Sequence, residues 1–327
     1  MPLIRTLAAL AALLAATLGT AAEVQTPYGP SSIEMELHQV PDAPVYYVIG
    51  RSGVPGADNE GFTSNAGFVV TEQGVVVYDA LGTPVLGFRL LEAIRSVTDK
   101  PVKIVVAGHY HADHIYGLQA FREHTDAAVW AQRRAYEYIN APNARARLQQ
   151  RREALFPWID DSTYVVEPDQ TYESEQVFDM GDTLVELVHA GPAHAPDDTL
   201  MIVHRYGVIF SGDLIFGGRL PFLGGEAVNT KRWLEELTEL QSLDPAPRFV
   251  IPGHGEADAD AQRAIAFTHD YIRYLRDEMG KAVDELITFD EAYRRTDWSR
   301  YEDVPTFEAA NRGNAYQVYL EMEAEAF

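Results

Sequence analysis

The sequence predicts an α/β protein in which β-strands and helices alternate in two similar halves, with antiparallel hairpins among the strands. Runs of β-branched residues broken by turn signals indicate strands, as in "AGFVVTEQGVVVYDA" at residues 66–80. Apolar residues spaced three and four apart indicate amphipathic helices between those runs. With 327 residues and 46% hydrophobic content, the chain has ample material for packed cores.

The first half is predicted to hold a hairpin, two helices and further strands. A strand at "VYYVIGR" precedes the hairpin, which turns at residues 72–74. The first helix covers residues 84–98, and the buried strand "VKIVVAG" follows it. A second helix, from about residue 116 to 124, leads to the short strand "AAVWA". The first half is therefore a hairpin followed by strand and helix units.

The second half repeats this alternation after an insertion. Residues 132–157 are rich in Arg, Ala and Leu and predict an inserted helical stretch, either a solvated surface or a cover over a site. Strands are expected to resume near "STYVV" and to continue at "TLVELVHA", "TLMIVHR" and "GVIFSGD". A helix over residues 230–243 and the strand "RFVIPGHG" follow, and the chain from residue 259 to the end is largely helical.

The N-terminus has the pattern of a secretory signal peptide. One Arg precedes an apolar run from Leu7 to Leu18 and the small residues 19–22, which predicts cleavage near Ala22. The alternative is an uncleaved anchor helix, but the run is short for a membrane span. We therefore expect a periplasmic or secreted protein without stable membrane insertion after cleavage. The chain has no cysteine, so any metal must be held by nitrogen and oxygen.

The net charge of the chain limits the classes of partner that it is expected to bind. A net charge of −23, from 49 acidic and 26 basic residues, argues against nucleic acid, because Lys and Arg supply the attraction to phosphate. A small-molecule substrate is expected instead. The oligomeric state does not follow from the sequence.

The motif "GHYHADH" at residues 108–114 predicts a metal site. His109 and His111 are two residues apart on an extended loop, a spacing that lets both point to one ion such as zinc. Asp113 and His114 are displaced along the chain as the next helix begins, which suggests a second ion. The alternative is an incidental polar loop.

Further candidate ligands follow other predicted strands. His194 in "GPAHAPDD", Asp213 in "FSGDLIF" and His254 in "IPGHGEAD" each come after an apolar strand, in a turn rich in Gly or Pro. Loops at the ends of rigid strands are where functional groups are usually held. These residues favour the metal site over the incidental loop.

Over residues 65–255 these motifs resemble the metallo-β-lactamase superfamily, with Asp79 of "VVVYDA" matching its early aspartate. The resemblance implies a four-layer αβ/βα sandwich over residues 23–258, with a helical insertion and a helical C-terminal extension over residues 259–327. It also implies a site of two zinc ions. The first zinc would be held by His109, His111 and His194, and the second by Asp113, His114 and His254. Asp213 would bridge both ions together with a hydroxide.

The resemblance also implies roles beyond metal binding. Asp113 would be catalytic by orienting the nucleophile, and Asp79 would orient a ligand histidine, although a lone aspartate can also be a polar strand end. Segments less specific than the ligand motifs, such as "SGDLIF" and the tail "NAYQVYLEMEAEA", resemble those of the secreted SoxH-like proteins and the zinc metallohydrolases of quinoprotein relay systems. Dedicated β-lactamases of the best-known subclass instead have cysteine where Asp213 stands.

The expected activity is hydrolysis of an ester, thioester or lactam-like bond, with weak β-lactamase activity as a further expectation. Two alternatives stay open. One is a sulfur dioxygenase of the same fold with a single iron, for which Asp113, His114 and His254 would be surplus. The other is a metal-binding protein without catalysis.

The sequence also suggests residues that could contact a substrate or line the entrance to the metal site. Arg219 is a candidate anion anchor, although most arginines are merely solvated. The candidates for an entrance, for which core packing is the alternative, are Tyr116, Trp158, Phe216, Phe222 and Leu223. The histidines without a ligand context, which we leave out of the site, are His38, His124, His189, His204 and His269.

Overall fold

The computed structural model describes residues 23–224 and 227–326. The predicted signal peptide at residues 1–22 lies outside this part of the chain. None of the helices in the described ranges is both long enough and apolar enough to cross a membrane.

A short hairpin, β1 (Val24–Thr26) and β2 (Gly29–Ser31), precedes the two large sheets. The strands of the first sheet, in spatial order, are β3 (His38–Gln39), β4 (Val45–Val48), β5 (Ala66–Val70), β6 (Val75–Tyr78), β7 (Val102–Val106), β8 (Ala128–Gln132) and β9 (Gln170–Tyr172). The pairs from β3 to β6 are antiparallel, and those from β6 to β9 are parallel. The predicted hairpin is therefore confirmed as β5 and β6.

The second sheet is antiparallel except for its last pair. Its strands, in spatial order, are β10 (Glu175–Asp179), β11 (Leu184–His189), β12 (Thr199–Val203), β13 (Val208–Gly217) and β14 (Phe249–Gly255). Strands β13 and β14 are parallel, with register shifts beside Gly212. Each large sheet thus contains strands whose carboxyl ends meet at one edge.

The helices lie outside the two sheets, and those of the insertion lie beside the cavity described below. Their bounds are α1 (Pro84–Val97), α2 (Ala112–Ile115), α3 (Leu118–His124), α4 (Ala135–Ile139), α5 (Ala144–Leu155), α6 (Thr230–Gln241), α7 (Ala261–Asp284), α8 (Phe289–Arg295) and α9 (Phe307–Ala326). Helix α1 shows why they form where they do. Thr83 caps its first turn by accepting from Leu86 N at 3.2 Å, and Pro84 occupies the first helical position.

Three hydrophobic cores arrange these elements in four layers. One core lies between the first sheet and α1 to α3, one between the two sheets, and one between the second sheet and helices α6, α7 and α9. Strand β6 shows the reason: Val75 and Val77 face the helices, whereas Val76 and Tyr78 face the other sheet. A strand buried on both faces has no polar alternation. The expected αβ/βα sandwich, with its helical insertion and helical C-terminal region, is confirmed.

Several local predictions were wrong. The segment "STYVV" forms no strand in the structure, and the chain rejoins the first sheet only at β9. Strand β10 was not predicted. Asp213 and His254 do not follow their strands but lie inside β13 and β14, where the register shifts let an irregular strand continue past the apolar run.

Candidate metal centre

The predicted site residues meet at one edge of the sandwich. Strands β6 and β7 are parallel in one sheet, β13 and β14 are parallel in the other, and the site lies at the carboxyl ends of both pairs. Open α/β folds commonly bind ligands outside the carboxyl ends of parallel strands. His194 joins them from the loop between β11 and β12.

One part of the site consists of three imidazoles. Suitable ligand atoms of His109, His111 and His194 lie within 4.8 Å of one another. His111 Nδ1 is 3.0 Å from His194 Nε2, and His194 Nε2 is 3.3 Å from Asp213 Oδ2. The spacing of His109 and His111 therefore brings both rings to one point, as the sequence predicted.

The other part combines carboxylates and imidazoles. Asp113, His114 and His254 also offer ligand atoms within 4.8 Å of one another. His254 Nε2 lies 3.4 Å from Asp113 Oδ2 and 3.3 Å from Asp213 Oδ2, and His114 Nε2 lies 3.2 Å from Asp213 Oδ1. The Asp213 carboxylate therefore stands between the two groups of side chains.

The unsatisfied atoms of this cluster fit a bound cation. Both ring nitrogens of His109 are buried without a hydrogen-bond partner among the described residues, and Nε2 of His114 and Oδ1 of Asp213 face each other at 3.2 Å without forming a hydrogen bond. Leaving such groups unpaired inside a protein costs about 1–3 kcal/mol each. A borderline divalent ion such as zinc takes nitrogen and carboxylate ligands and would satisfy one ring nitrogen of His109, Nε2 of His114 and Oδ1 of Asp213.

The electrostatics of His109, His111 and Asp213 favour a bound cation, whereas Asp79, Asp213 and Asp113 outweigh the effect of burial and raise the pKa of His114 well above its usual range. Burial, and then the neighbouring imidazoles, lower the pKa of His109 well below its usual range and that of His111 to about 3, so these rings are neutral. Burial alone would raise the pKa of Asp213, but His254, His114 and His194 outweigh it and hold that pKa well below its usual range. Neutral imidazoles and ionised carboxylates are the protonation states that bind metals.

Hydrogen bonds behind the cluster orient two of its rings. His114 Nδ1 donates to Asp79 Oδ2 at 2.7 Å, and Gly108 N donates to the other carboxylate oxygen at 2.7 Å. His254 Nδ1 donates to the carbonyl oxygen of Thr63 at 2.6 Å. In both rings the bond at Nδ1 leaves Nε2 directed into the cluster. Asp79 thus lies behind His114, one of the predicted ligand histidines.

Close backbone packing sets the position of Asp213. A Cβ added at Gly253 would overlap the Asp213 carboxylate, so the neighbouring strand must carry glycine there. Asn65 ties the two sheets together next to this contact, since its side-chain amide donates to the carbonyls of Pro252 and Gly255, each at 2.8 Å. Sequence reasoning assigned no role to Asn65 or Thr63, although the polar run before strand β5 was a signal.

The cluster opens into a cavity of about 960 Å³. Tyr138, Arg147 and Arg151 of the insertion form one wall, so the insertion covers a site rather than being only a solvated surface. Two predicted entrance residues, Phe216 and Phe222, also line the cavity.

The other entrance predictions were wrong. Leu223 and Tyr116 are buried within hydrophobic cores instead. Trp158 does not line the cavity, and its indole donates to Pro30 O at 3.1 Å. Core packing was therefore the correct alternative for Leu223 and Tyr116.

Arg219 lines the same cavity and is only 1% exposed, so it is not a solvated arginine. Its guanidinium lies beside His254, with 3.3 Å between Nη1 and Nδ1, and near the rings of Phe216 and Phe222. Burial lowers the pKa of Arg219, while Asp213 and Asp113 oppose that effect.

The remaining histidines do not join the described cluster. His189 supports the loop that carries His194, because its Nε2 lies 2.9 Å from Pro196 O. His204 pairs with Glu186 at 2.7 Å. The other histidines outside the metal-ligand groups are His38, His124 and His269.

A four-layer sandwich with imidazoles and carboxylates clustered at its strand ends is an arrangement that suits a metal-dependent enzyme. Comparison with known families specifies this class further. Residues 59–254 match the family described as the metallo-beta-lactamase superfamily, which is more than half of the chain. The chain belongs to this superfamily, which is a superfamily of hydrolases.

Individual relatives are more distant. The chain is 21% identical over 253 residues to a linear primary-alkylsulfatase from Pseudomonas sp. (strain ATCC 19151), a match that covers 67% of this chain and 47% of the relative. The chain thus spans about half of that enzyme's length. It is 25% identical over 214 residues to a metallo-beta-lactamase type 2 from Elizabethkingia meningoseptica, covering 64% and 76% of the two chains.

Among solved structures, a metallo-beta-lactamase from Pontibacter korlensis superposes with a TM-score of 0.58 at 19% identity. That match covers 73% of this chain and 99% of the other. At this identity the likeness concerns the fold alone.

Proposed function

We propose that this protein is a periplasmic hydrolase that uses two zinc ions to cleave an ester, thioester or lactam-like bond in a small molecule. One observation carries the proposal: seven potential ligands from separate loops and strands converge, with Asp213 between the two groups. Zinc held there would lower the pKa of water towards about 7 and supply a nucleophile at neutral pH.

The seven potential ligands would be divided between the two ions. His109, His111 and His194 would hold one ion, and the second would be held by Asp113, His114 and His254. Asp213 lies within 3.3 Å of His194 Nε2 and of His254 Nε2, so it can reach both ions.

Asp113 is placed to act on the nucleophile as well as on metal. Burial raises the pKa of Asp113, but His114 and His254 outweigh it and Arg151 adds to their effect, so the pKa falls to about 2. An ionised carboxylate at the cavity wall accepts hydrogen bonds and can orient a water molecule. Thr63 Oγ1 donates to it at 3.3 Å and helps to fix its direction.

The substrate class is proposed from the names of the relatives, and the location is proposed from the N-terminal sequence. The relatives include enzymes named alkylsulfatase and metallo-beta-lactamase, so several types of bond stay candidates and weak β-lactam hydrolysis is among the proposed activities. Periplasmic export is proposed from the signal pattern of residues 1–22. The SoxH-like assignment is proposed on the same footing, from the sequence features alone.

The first experiment is metal analysis of the purified protein with hydrolysis assays on a reporter ester and a cephalosporin. We expect about two zinc ions per chain. Asp213→Ala should lower hydrolysis by more than about 100-fold, since losing a group that merely orients a ligand already costs 10–100-fold. Asp126→Ala, at an exposed position, is the matched control.

Other outcomes would favour the alternatives. One iron per chain with oxygen consumption on a persulfide would replace the hydrolase by a sulfur dioxygenase. Metal bound without turnover of any ester, thioester or lactam would favour a binding protein. Unchanged turnover in Asp213→Ala would contradict the role given to Asp213.

A further inference from the structure

The helical insertion places two arginines on the cavity wall. Arg147 and Arg151 are one turn apart on α5, so they lie on the same face of the helix. Both line the cavity, and Arg219 lines it from the loop after β13. Three guanidinium groups around one cavity stand out in a chain with a net charge of −23.

The acidic residues of the cavity do not cancel this positive charge. Asp113 and Asp213 belong to the metal centre, where bound cations would face them. Glu137 is exposed and already paired, since its Oε1 lies 2.7 Å from Arg134 Nε. Among the described residues that line the cavity, the charge left towards the open space is therefore positive.

The two arginines of α5 differ in what they contact. Arg147 donates to Asn143 Oδ1 at 2.8 Å and to the carbonyl of Tyr138, and its guanidinium lies 3.6 Å from the centre of the Tyr138 ring. The Tyr138 ring in turn lies 6.0 Å from that of His111. Arg147 therefore holds the insertion in place beside the metal centre.

Arg151 is half-buried and makes no hydrogen bond or ion pair within residues 23–224 and 227–326. An arginine at the cavity wall presents a planar guanidinium whose N–H groups can bind an oxyanion in a bidentate manner.

We propose that Arg151 determines substrate specificity by binding an oxyanion of the substrate, a carboxylate or a sulfonate, to one side of the bond that is cleaved. This inference rests on the proposed hydrolase function. Val54, Pro55, Phe222 and Val228 also line the cavity and fit an apolar part of the same molecule. The substrate class is therefore an ester or related compound that is both apolar and anionic.

The test compares three reporter esters on the zinc-loaded protein. Mono(4-nitrophenyl) succinate carries a carboxylate, 4-nitrophenyl 3-sulfopropanoate carries a sulfonate, and 4-nitrophenyl 4-methylpentanoate is a neutral ester of similar size. Arg151→Gln should lower the ratio of kcat/KM for an anionic ester to that for the neutral ester about tenfold, mainly through KM. Arg151→Lys should keep part of the preference for the anionic esters, because lysine keeps the positive charge but lacks the planar guanidinium that makes two parallel hydrogen bonds.

Arg145→Gln is the matched control, since Arg145 is exposed on the same helix and does not line the cavity. It should leave the ratio unchanged. The anionic ester whose ratio falls more identifies the group that Arg151 prefers. A ratio that Arg151→Gln leaves unchanged for both anionic esters would overturn the proposal.

A binding measurement separates this proposal from the hydrolase function. Calorimetry with N-(4-nitrophenyl)succinamate, an amide analogue of the carboxylate ester, should show about tenfold weaker binding to Arg151→Gln than to the unchanged protein or to Arg145→Gln. Absent hydrolysis of every ester would contradict the hydrolase function, while this measurement would still decide the role of Arg151. Equal binding to all three proteins would overturn it.

Discussion

Asp79 Oδ2 accepts a hydrogen bond from His114 Nδ1 at 2.7 Å, and both side chains are fully buried. Asp79 follows β6 with a positive φ of 61°, a conformation that Asp tolerates better than most residues. The bond links the end of β6 to the first turn of α2. It fixes the His114 ring with Nε2 towards Asp213.

Replacing Asp79 by Asn should weaken zinc binding by 10–100-fold, because the amide is a poorer acceptor for the His114 N–H and leaves the ring less basic. Competition with a chromophoric chelator measures the Kd for zinc. Asp99→Asn, at an exposed site, should bind zinc as the unchanged protein does. Equal affinities in all three proteins would show that Asp79 is only a polar strand end.

Replacing Gly253 by Ala should displace Asp213, because the new Cβ would overlap its carboxylate. We expect hydrolysis to fall by about 100-fold or more and the zinc content to fall below that of the unchanged protein. Gly313→Ala is the control: Gly313 lies on α9 with open space around it, and Ala there should stabilise the helix by up to about 1 kcal/mol. Full activity in Gly253→Ala would contradict the close approach.

Asp197→Asn tests a buried carboxyl near the site. Burial, opposed by the Tyr110 N–H, raises the pKa of Asp197 from 3.8 to about 7, so the folded state favours the neutral acid. Its contribution to stability is complete below 3.8 and is lost as the pH rises through about 7. Asn keeps an oxygen to accept the N–H of Tyr110, which now lies 2.9 Å from Asp197 Oδ2.

The Tm of the unchanged protein should therefore fall more than that of Asp197→Asn between about pH 5.5 and about pH 8. Thermal unfolding followed by circular dichroism, at the same zinc concentration throughout, measures both. Asp126→Asn, at an exposed position, should follow the unchanged protein. Parallel pH profiles for Asp197→Asn and the unchanged protein would show that this carboxyl does not titrate in that range.

Removing metal should destabilise the fold, because the cluster buries ring nitrogens and a carboxylate oxygen that have no hydrogen-bond partner among the described residues. Zinc at a hundred to a thousand times its Kd should add about 3–4 kcal/mol to the free energy of unfolding for one site. Tm measured with zinc and with a chelator tests this. An identical Tm in both conditions would argue against the site, and Asp213→Ala should show a smaller difference.

Much of the fold could be predicted because its signals are local. The unbroken apolar run of β6 is visible within four consecutive residues. The cap and the proline that begin α1 are likewise adjacent in the chain. The segment "STYVV" misled because β-branched residues favour strands only when a partner strand is available. Residues 162–166 have none in the structure.

The sequence by itself determined the superfamily, the four-layer class and the residues that meet in the cluster, because ligand types and their spacing are written along the chain. Only the tertiary structure decided that Thr63 and Asn65 support the cluster and that Arg151 faces the cavity. These contacts join residues distant in sequence, and the packing of two sheets and an insertion brings them together. No local pattern encodes such proximity.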